Sequence, residues 1–121
     1  MHEKVLIVED EILVRFDLAD HFRAEHFEVL EAATVSGAKN LLEKNPDIVA
    51  MVTDVRLPGH ENGLQLAQFV RTHHPQILIL VASGHMEPEQ LPRDFGVLIN
   101  KPHVPKKIVE RLRHMLGHGT I

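Results

Sequence analysis

Five polar side chains stand at or just beyond the ends of short apolar runs. Glu9 and Asp10 follow Lys4-Val5-Leu6-Ile7-Val8, Asp54 follows Ile48-Val49-Ala50-Met51-Val52-Thr53, Ser83 follows Ile77-Leu78-Ile79-Leu80-Val81-Ala82, and Lys101 follows Val97-Leu98-Ile99-Asn100. Three carboxylates brought to one place repel one another unless a cation sits among them. Carboxylate oxygens are hard ligands and suit Mg²⁺, which keeps several waters and is often bound together with phosphate oxygens. A hydroxyl and an ammonium beside them suit the oxygens of a phosphoryl group, and aspartate is a covalent phosphoryl acceptor in known chemistry. The set reads as a site where Mg²⁺, Ser83 and Lys101 balance a phosphoryl group placed on Asp54. Each residue also has a plainer reading. Glu9 or Glu11 could complement a helix dipole, Asp54 could serve a turn before Pro58-Gly59, Ser83 could cap a helix, and Lys101 could be a solvated surface cation. For the site to be an accident, all of these would have to coincide at one edge of the fold.

For these groups to meet, the runs carrying them must be neighbouring strands that end on the same side. Short continuous apolar runs bounded by turn signals are strands buried on both faces, and that describes the first, third and fourth runs. Phe27-Glu28-Val29-Leu30-Glu31 partly alternates, which places it at a sheet edge. The intervening segments have helical spacing. Ile12, Phe16, Ala19 and Phe22 are expected on the inward face of the first helix. Thr34 suits the N-cap of a second, with Val35, Ala38, Leu41 and Leu42 inward and Asn45-Pro46 as its stop. A third carries Leu64, Ala67 and Val70. Between the fourth and fifth strands, Pro88 and Pro92 allow only a short or irregular helix. Pro105 suits the first position of a last helix lined by Ile108, Leu112, Met115 and Leu116 and ended by Gly117. Strand and helix alternate throughout, so the fold class is α/β: a (βα)5 three-layer sandwich with helices on both faces of a parallel five-stranded sheet. With the most buried strands in the middle, the order is the flavodoxin-like 2-1-3-4-5, and ligands of such sheets bind outside the carboxyl ends of the strands.

The chain has 121 residues, enough for one domain spanning 1–121. Hydrophobic residues make up 44% and there are no cysteines, which fits a globular protein without disulfides or thiolate metal sites. The net charge of −4 comes without a basic stripe, so direct nucleic-acid binding is not expected. No signal-peptide pattern or membrane span is visible, Met1 reads as a natural N-terminus, and the expected location is cytoplasmic with no membrane partner. Among the ten histidines, His73-His74 could suggest a metal pair, but adjacent residues on a helix do not face one another.

The motifs together resemble the receiver domain of two-component response regulators, from Lys4 to about Leu116. Val5 to Glu11 is similar to that family's first strand and acidic pair. Val52-Thr53-Asp54-Val55-Arg56-Leu57-Pro58 is similar to its phosphoacceptor segment, with Gly63 at the place of its loop glycine. Ala82-Ser83-Gly84-His85 is similar to its hydroxyl segment, and Asn100-Lys101-Pro102 to its lysine-proline pair. The resemblance implies a phosphorylation-controlled signalling switch. Asp54 would be the phosphorylated aspartate and a Mg²⁺ ligand, Asp10 a second direct ligand, and Glu9 would act mostly through a metal-bound water. The backbone carbonyl of Arg56 would be the third protein ligand, while Ser83 and Lys101 would hold phosphoryl oxygens. The bond before Pro102 would be cis. The implied partners are a sensor histidine kinase or phosphotransfer protein and a downstream protein, and a homodimer is compatible with the family.

Two features depart from the family pattern. Leu98 stands where an aromatic switch residue is usual, and the stretch from Ser83 to Lys101 is short. The output is therefore expected in the loop after Ser83 and in Met86 to Asp94, with partner binding there and on the last helix around Lys106, Lys107 and Arg111. The pattern Ser83-Gly84-His85 resembles a stand-alone subgroup of receivers, with His85 in place of an aromatic residue. Two alternatives compete. An aspartyl-phosphate phosphatase would want an acid two residues after Asp54, where Arg56 stands. A flavin-binding module would want a hydroxyl- and glycine-rich loop after the first strand, where Glu9-Asp10-Glu11 would repel the phosphate.

Overall fold

The computed structural model describes residues 2–83, 97–100 and 104–118. Strands β1 (Lys4–Val8), β2 (Glu28–Ala32), β3 (Ile48–Asp54), β4 (Leu78–Ser83) and β5 (Val97–Asn100) form one sheet in the order β2-β1-β3-β4-β5. Every neighbouring pair is parallel. The helices are α1 (Ile12–Ala24), α2 (Val35–Lys44), α3 (Gly63–His73) and α4 (Pro105–Met115). No described helix is long and apolar enough to cross a membrane. The expected short helix around Pro88 and Pro92, Lys101, and the bond before Pro102 lie outside the described residues.

Successive strand residues point to opposite faces, and β1 shows how that builds two cores. Leu6 and Val8 join Val35, Ala38 and Leu42 of α2 and Leu66, Ala67 and Val70 of α3. Val5 and Ile7 join Leu18, Ala19 and Phe22 of α1 and Ile108, Val109 and Leu112 of α4. The sheet is thus a shared wall, which is why its central strands are apolar at nearly every position. The edge strand β2 is less uniformly buried, with Glu28 exposed and Leu30 and Glu31 half-buried.

Local chemistry sets the helix ends. Thr34 Oγ1 accepts from the Gly37 amide at 3.0 Å, as an N-cap should. Asn62 and Gln65 form a reciprocal capping box at the start of α3. After α4, Gly117 takes a positive φ of 81°. The His118 amide donates to the Arg113 carbonyl and the Gly117 amide to that of His114, which closes the helix by a Schellman arrangement.

One expectation about inward faces needs correction, and two gain detail. Ile12 and Phe16 are not buried under α1 but are 53% and 47% exposed. The first turns of α1 sit at the strand-tip end, and the helix meets the sheet only where Leu18, Ala19 and Phe22 arrive. In α3 the deepest leucine is Leu66, with Leu64 half-buried. In α4, Val109 is buried beside Ile108 and Leu112, and Met115 and Leu116 only flank the core.

Gly63 is where α3 touches the end of β3. A Cβ built there would lie 1.8 Å from the Asp54 carbonyl oxygen and 2.9 Å from the Val55 Cα. The contacts are backbone, so no side-chain rotation relieves them. The Gly63 amide in turn donates to the Val55 carbonyl at 2.8 Å. Gly63→Ala should therefore force α3 away from Asp54 and destabilise the protein by about 2–3 kcal/mol, at the upper end of ordinary overpacking. Urea unfolding of the variant against the parent measures this. A loss within a few tenths of a kcal/mol would mean that the close approach is readily relaxed.

Candidate functional site

The pairing register aligns the strand tips. Val8 of β1 pairs with Thr53 of β3, so Glu9 and Asp54 are each the next residue along. Asp54 pairs with Ala82, which puts Ser83 one step beyond it on β4. Ser83 pairs with Asn100, the residue before Lys101. Glu9, Asp10 and Asp54 are brought together: a carboxylate oxygen of each lies within 4.8 Å of the others. Glu9 and Asp54 are buried at 4% and 9% exposure, Ser83 is buried at 7%, and Asp10 is exposed. The site is thus a partly covered acidic corner with one carboxylate facing solvent.

Glu9 and Asp54 are each held by backbone and side-chain hydrogen bonds. The Glu9 amide donates to the Ala32 carbonyl at 3.0 Å, extending the β1–β2 ladder by one residue. Its Oε2 accepts from the Glu11 amide at 3.2 Å, at the start of α1. Glu11, the N-cap residue, makes no side-chain cap of its own, so the Glu9 carboxylate satisfies an orphan amide of the helix. Asp54 Oδ1 accepts from the Arg56 amide at 3.3 Å. Its carbonyl accepts from Thr53 Oγ1 at 2.9 Å. The Val55 amide donates to the Ala82 carbonyl at 3.1 Å, which ties the chain after Asp54 to β4.

Sequence reasoning missed two residues that shape this corner. Arg15, one turn into α1, donates from Nη1 to the Glu9 carbonyl at 3.0 Å and from Nε to Glu31 Oε1 at 3.1 Å. A cation one turn after an acidic strand end was the available signal. Asn62 caps the helix that meets Asp54, and its Asn-x-x-Gln spacing marks a capping box. Arg56 meets the site through its amide, which donates to Asp54 Oδ1, and Lys101 lies outside the described residues.

Hard oxygen donors from two strand tips, with one carboxylate open to water, suit a small divalent cation that keeps part of its hydration shell. Thiolate and imidazole donors are absent from this group of three, which argues against a transition-metal site.

The response regulator receiver domain family matches residues 5–113. The aerobic respiration control protein ArcA of Escherichia coli is 33% identical over 124 residues, an alignment covering 97% of this chain and 51% of ArcA, so the chain spans about half the length of that relative. A chemotaxis protein CheY homolog of Campylobacter jejuni is 32% identical, with 97% of this chain and 95% of that protein aligned. In three dimensions, a CheY-like response regulator receiver domain protein of Methanospirillum hungatei superimposes with a TM-score of 0.87 at 22% identity, over 98% of this chain and 96% of that one. That structure shares the fold. These matches give no support to the phosphatase and flavin alternatives. With an acidic corner at the strand tips, the sheet order β2-β1-β3-β4-β5 and a family match over most of its length, the chain belongs to the response regulator receiver domains of two-component systems.

Proposed function

We propose that the protein is a phosphorylation-controlled switch whose phosphoacceptor is Asp54. The observation that carries this reading is the convergence of Glu9, Asp10 and Asp54 within 4.8 Å at the strand tips, with Asp54 at 9% exposure. Glu9, Asp10 and Asp54, with the Arg56 carbonyl, would hold Mg²⁺. When bound, the ion would supply positive charge to carboxylates and phosphoryl oxygens that otherwise repel. In transfer, an Asp54 carboxylate oxygen approaches the phosphorus in line with the donor's P–N or P–O bond. A P–O bond to Asp54 forms, the donor bond breaks, and the leaving group keeps the electron pair and takes a proton from solvent. Such transfers depend mainly on positioning and charge stabilisation. Ser83 and Lys101 would receive phosphoryl oxygens, and hydrolysis of the resulting acyl phosphate would reset the switch. The protein is thus an acceptor that acts on itself, and its output is a change in partner binding.

A phosphodonor protein must reach this corner. Ile12, Leu13 and Phe16 at the start of α1 and Val104 at the cap of α4 are 53%, 79%, 47% and 53% exposed. Exposed large apolar side chains grouped at one end of a molecule mark interaction surfaces. We take this group as the contact for a histidine kinase or phosphotransfer protein, bordering the acids it would address.

Three outcomes test the reading. Incubated with a small phosphodonor and Mg²⁺, the parent should gain one phosphoryl group by intact mass and Asp54→Asn should gain none; equal uptake by the variant would dismiss the assignment. Mg²⁺ at about tenfold excess over its Kd should stabilise the parent by roughly 1–2 kcal/mol, and Asp10→Ala should lose most of that shift in thermal unfolding. Leu13→Ala should leave stability within about 0.5 kcal/mol of the parent, as exposed sites do. It should keep the parent's rate with a small phosphodonor and slow transfer from a phosphohistidine protein. A slowing that appears equally with both donors would locate the defect in the site instead.

A further inference from the structure

We infer that Arg15 is a positioning residue for the cation site, acting through the Glu9–Asp10 peptide; the inference rests on the reading of Glu9 and Asp10 as Mg²⁺-binding groups. The Glu9 carbonyl belongs to the peptide unit that joins the two acids, so whatever fixes that carbonyl sets the plane from which both side chains leave. Arg15 Nη1 donates to it at 3.0 Å. Arg15 is not free to swing, because its Nε donates to Glu31 Oε1 at 3.1 Å and its side chain is only 15% exposed. Glu31 is held from the other side by Arg23 Nη2, which donates to Oε2 at 3.0 Å. The Arg15 Cζ also lies over the Phe16 ring, 5.4 Å from its centroid, while its Nη1 and Nε donors go to Glu9 and Glu31. A planar fork can serve two acceptors in fixed directions at once, which an ammonium does poorly. The chain Arg23–Glu31–Arg15–Glu9 thus runs from the last turn of α1, through Glu31 of edge strand β2, to the acidic corner.

Charge alone and positioning make opposite predictions. Arg15 and Mg²⁺ are both cations and repel. If Arg15 acted only through charge, neutralising it would tighten Mg²⁺ binding. If it acts by holding the peptide, neutralising it loosens binding, and groups that orient metal ligands typically account for about tenfold or more in affinity.

The test is Mg²⁺ titration of the intact chain by calorimetry, with amide NMR shifts of Glu9 and Asp10 as a second readout. The parent should bind, Arg15→Met should bind about tenfold more weakly, and Glu31→Gln should weaken binding less. The double variant should be no weaker than Arg15→Met, because both changes break one connection. Leu112→Ala, a core change in α4, controls for general destabilisation and should keep the parent's affinity. Binding by Arg15→Met as tight as the parent's, or tighter, overturns the inference alone. Equal weakening by Leu112→Ala does so too. A parent that binds no Mg²⁺ overturns the site reading and this inference with it. Should Arg15→Met fail to fold, Glu31→Gln carries the same test, and unchanged affinity there overturns the inference.

Discussion

Three carboxylates within 4.8 Å of one another are a standing repulsion that the rest of the molecule has to contain. Two unit charges about 4 Å apart interact by about 1 kcal/mol in water and by about 4 kcal/mol at the effective dielectric near a protein surface. A flexible loop would relieve this by spreading the acids. Here they cannot spread, because Glu9 and Asp54 directly follow paired residues of two adjacent parallel strands. The opposing stability comes from the two apolar layers, which lock β1 and β3 side by side from both faces. The core and the site are therefore one mechanical problem: a wall rigid enough to hold charges where they would not choose to be.

The backbone attachments around the corner follow the same logic. Glu9 is tied to β2 through Ala32, to α1 through the Glu11 amide, and to Arg15 through its carbonyl. Asp54 is bounded by β4 through the Val55–Ala82 bond and by α3 through the close approach of Gly63. Four elements besides the two acid-bearing strands converge on these residues. Acids fixed in this way would receive a cation without first rearranging, and under the proposed function it is that cation which would stabilise a transferring phosphoryl group.

Much of this was legible in the chain itself. Continuous apolar runs at Val5 to Val8 and Ile77 to Ala82 identify strands covered on both faces, and the partial alternation in Phe27 to Glu31 identifies the edge. Because parallel strands end on one side, acids after two such runs must meet, and they do. Helix faces were harder to read. The spacing of Ile12 and Phe16 fits an inward stripe, but periodicity reports which residues share a face and not how far along the helix that face finds a partner. In α1 the sheet begins near Leu18. Arg15 escaped notice because its acceptors are a backbone carbonyl and a carboxylate 16 residues away, which leaves its place one turn after an acidic strand end as the local mark.

The two-sided core of β1 has a consequence for how the strand finds its place. In a sheet with one wet face, hydrophobicity chooses the register, since a slip by one residue turns the apolar set toward water. Here a slip would exchange Val5 and Ile7 for Leu6 and Val8, and hydrophobicity alone does not choose between the two. The choice falls to the ends. Lys4 reaches Asp47 at 2.9 Å where the strand begins, and Glu9 closes it on the Glu11 amide. A shift one way would drag a carboxylate into the interior, and a shift the other way would pull the lysine off its partner. The charged residues thus measure out the strand, and a strand whose hydrophobic pattern does not by itself choose a register is held to the one that brings its acids together.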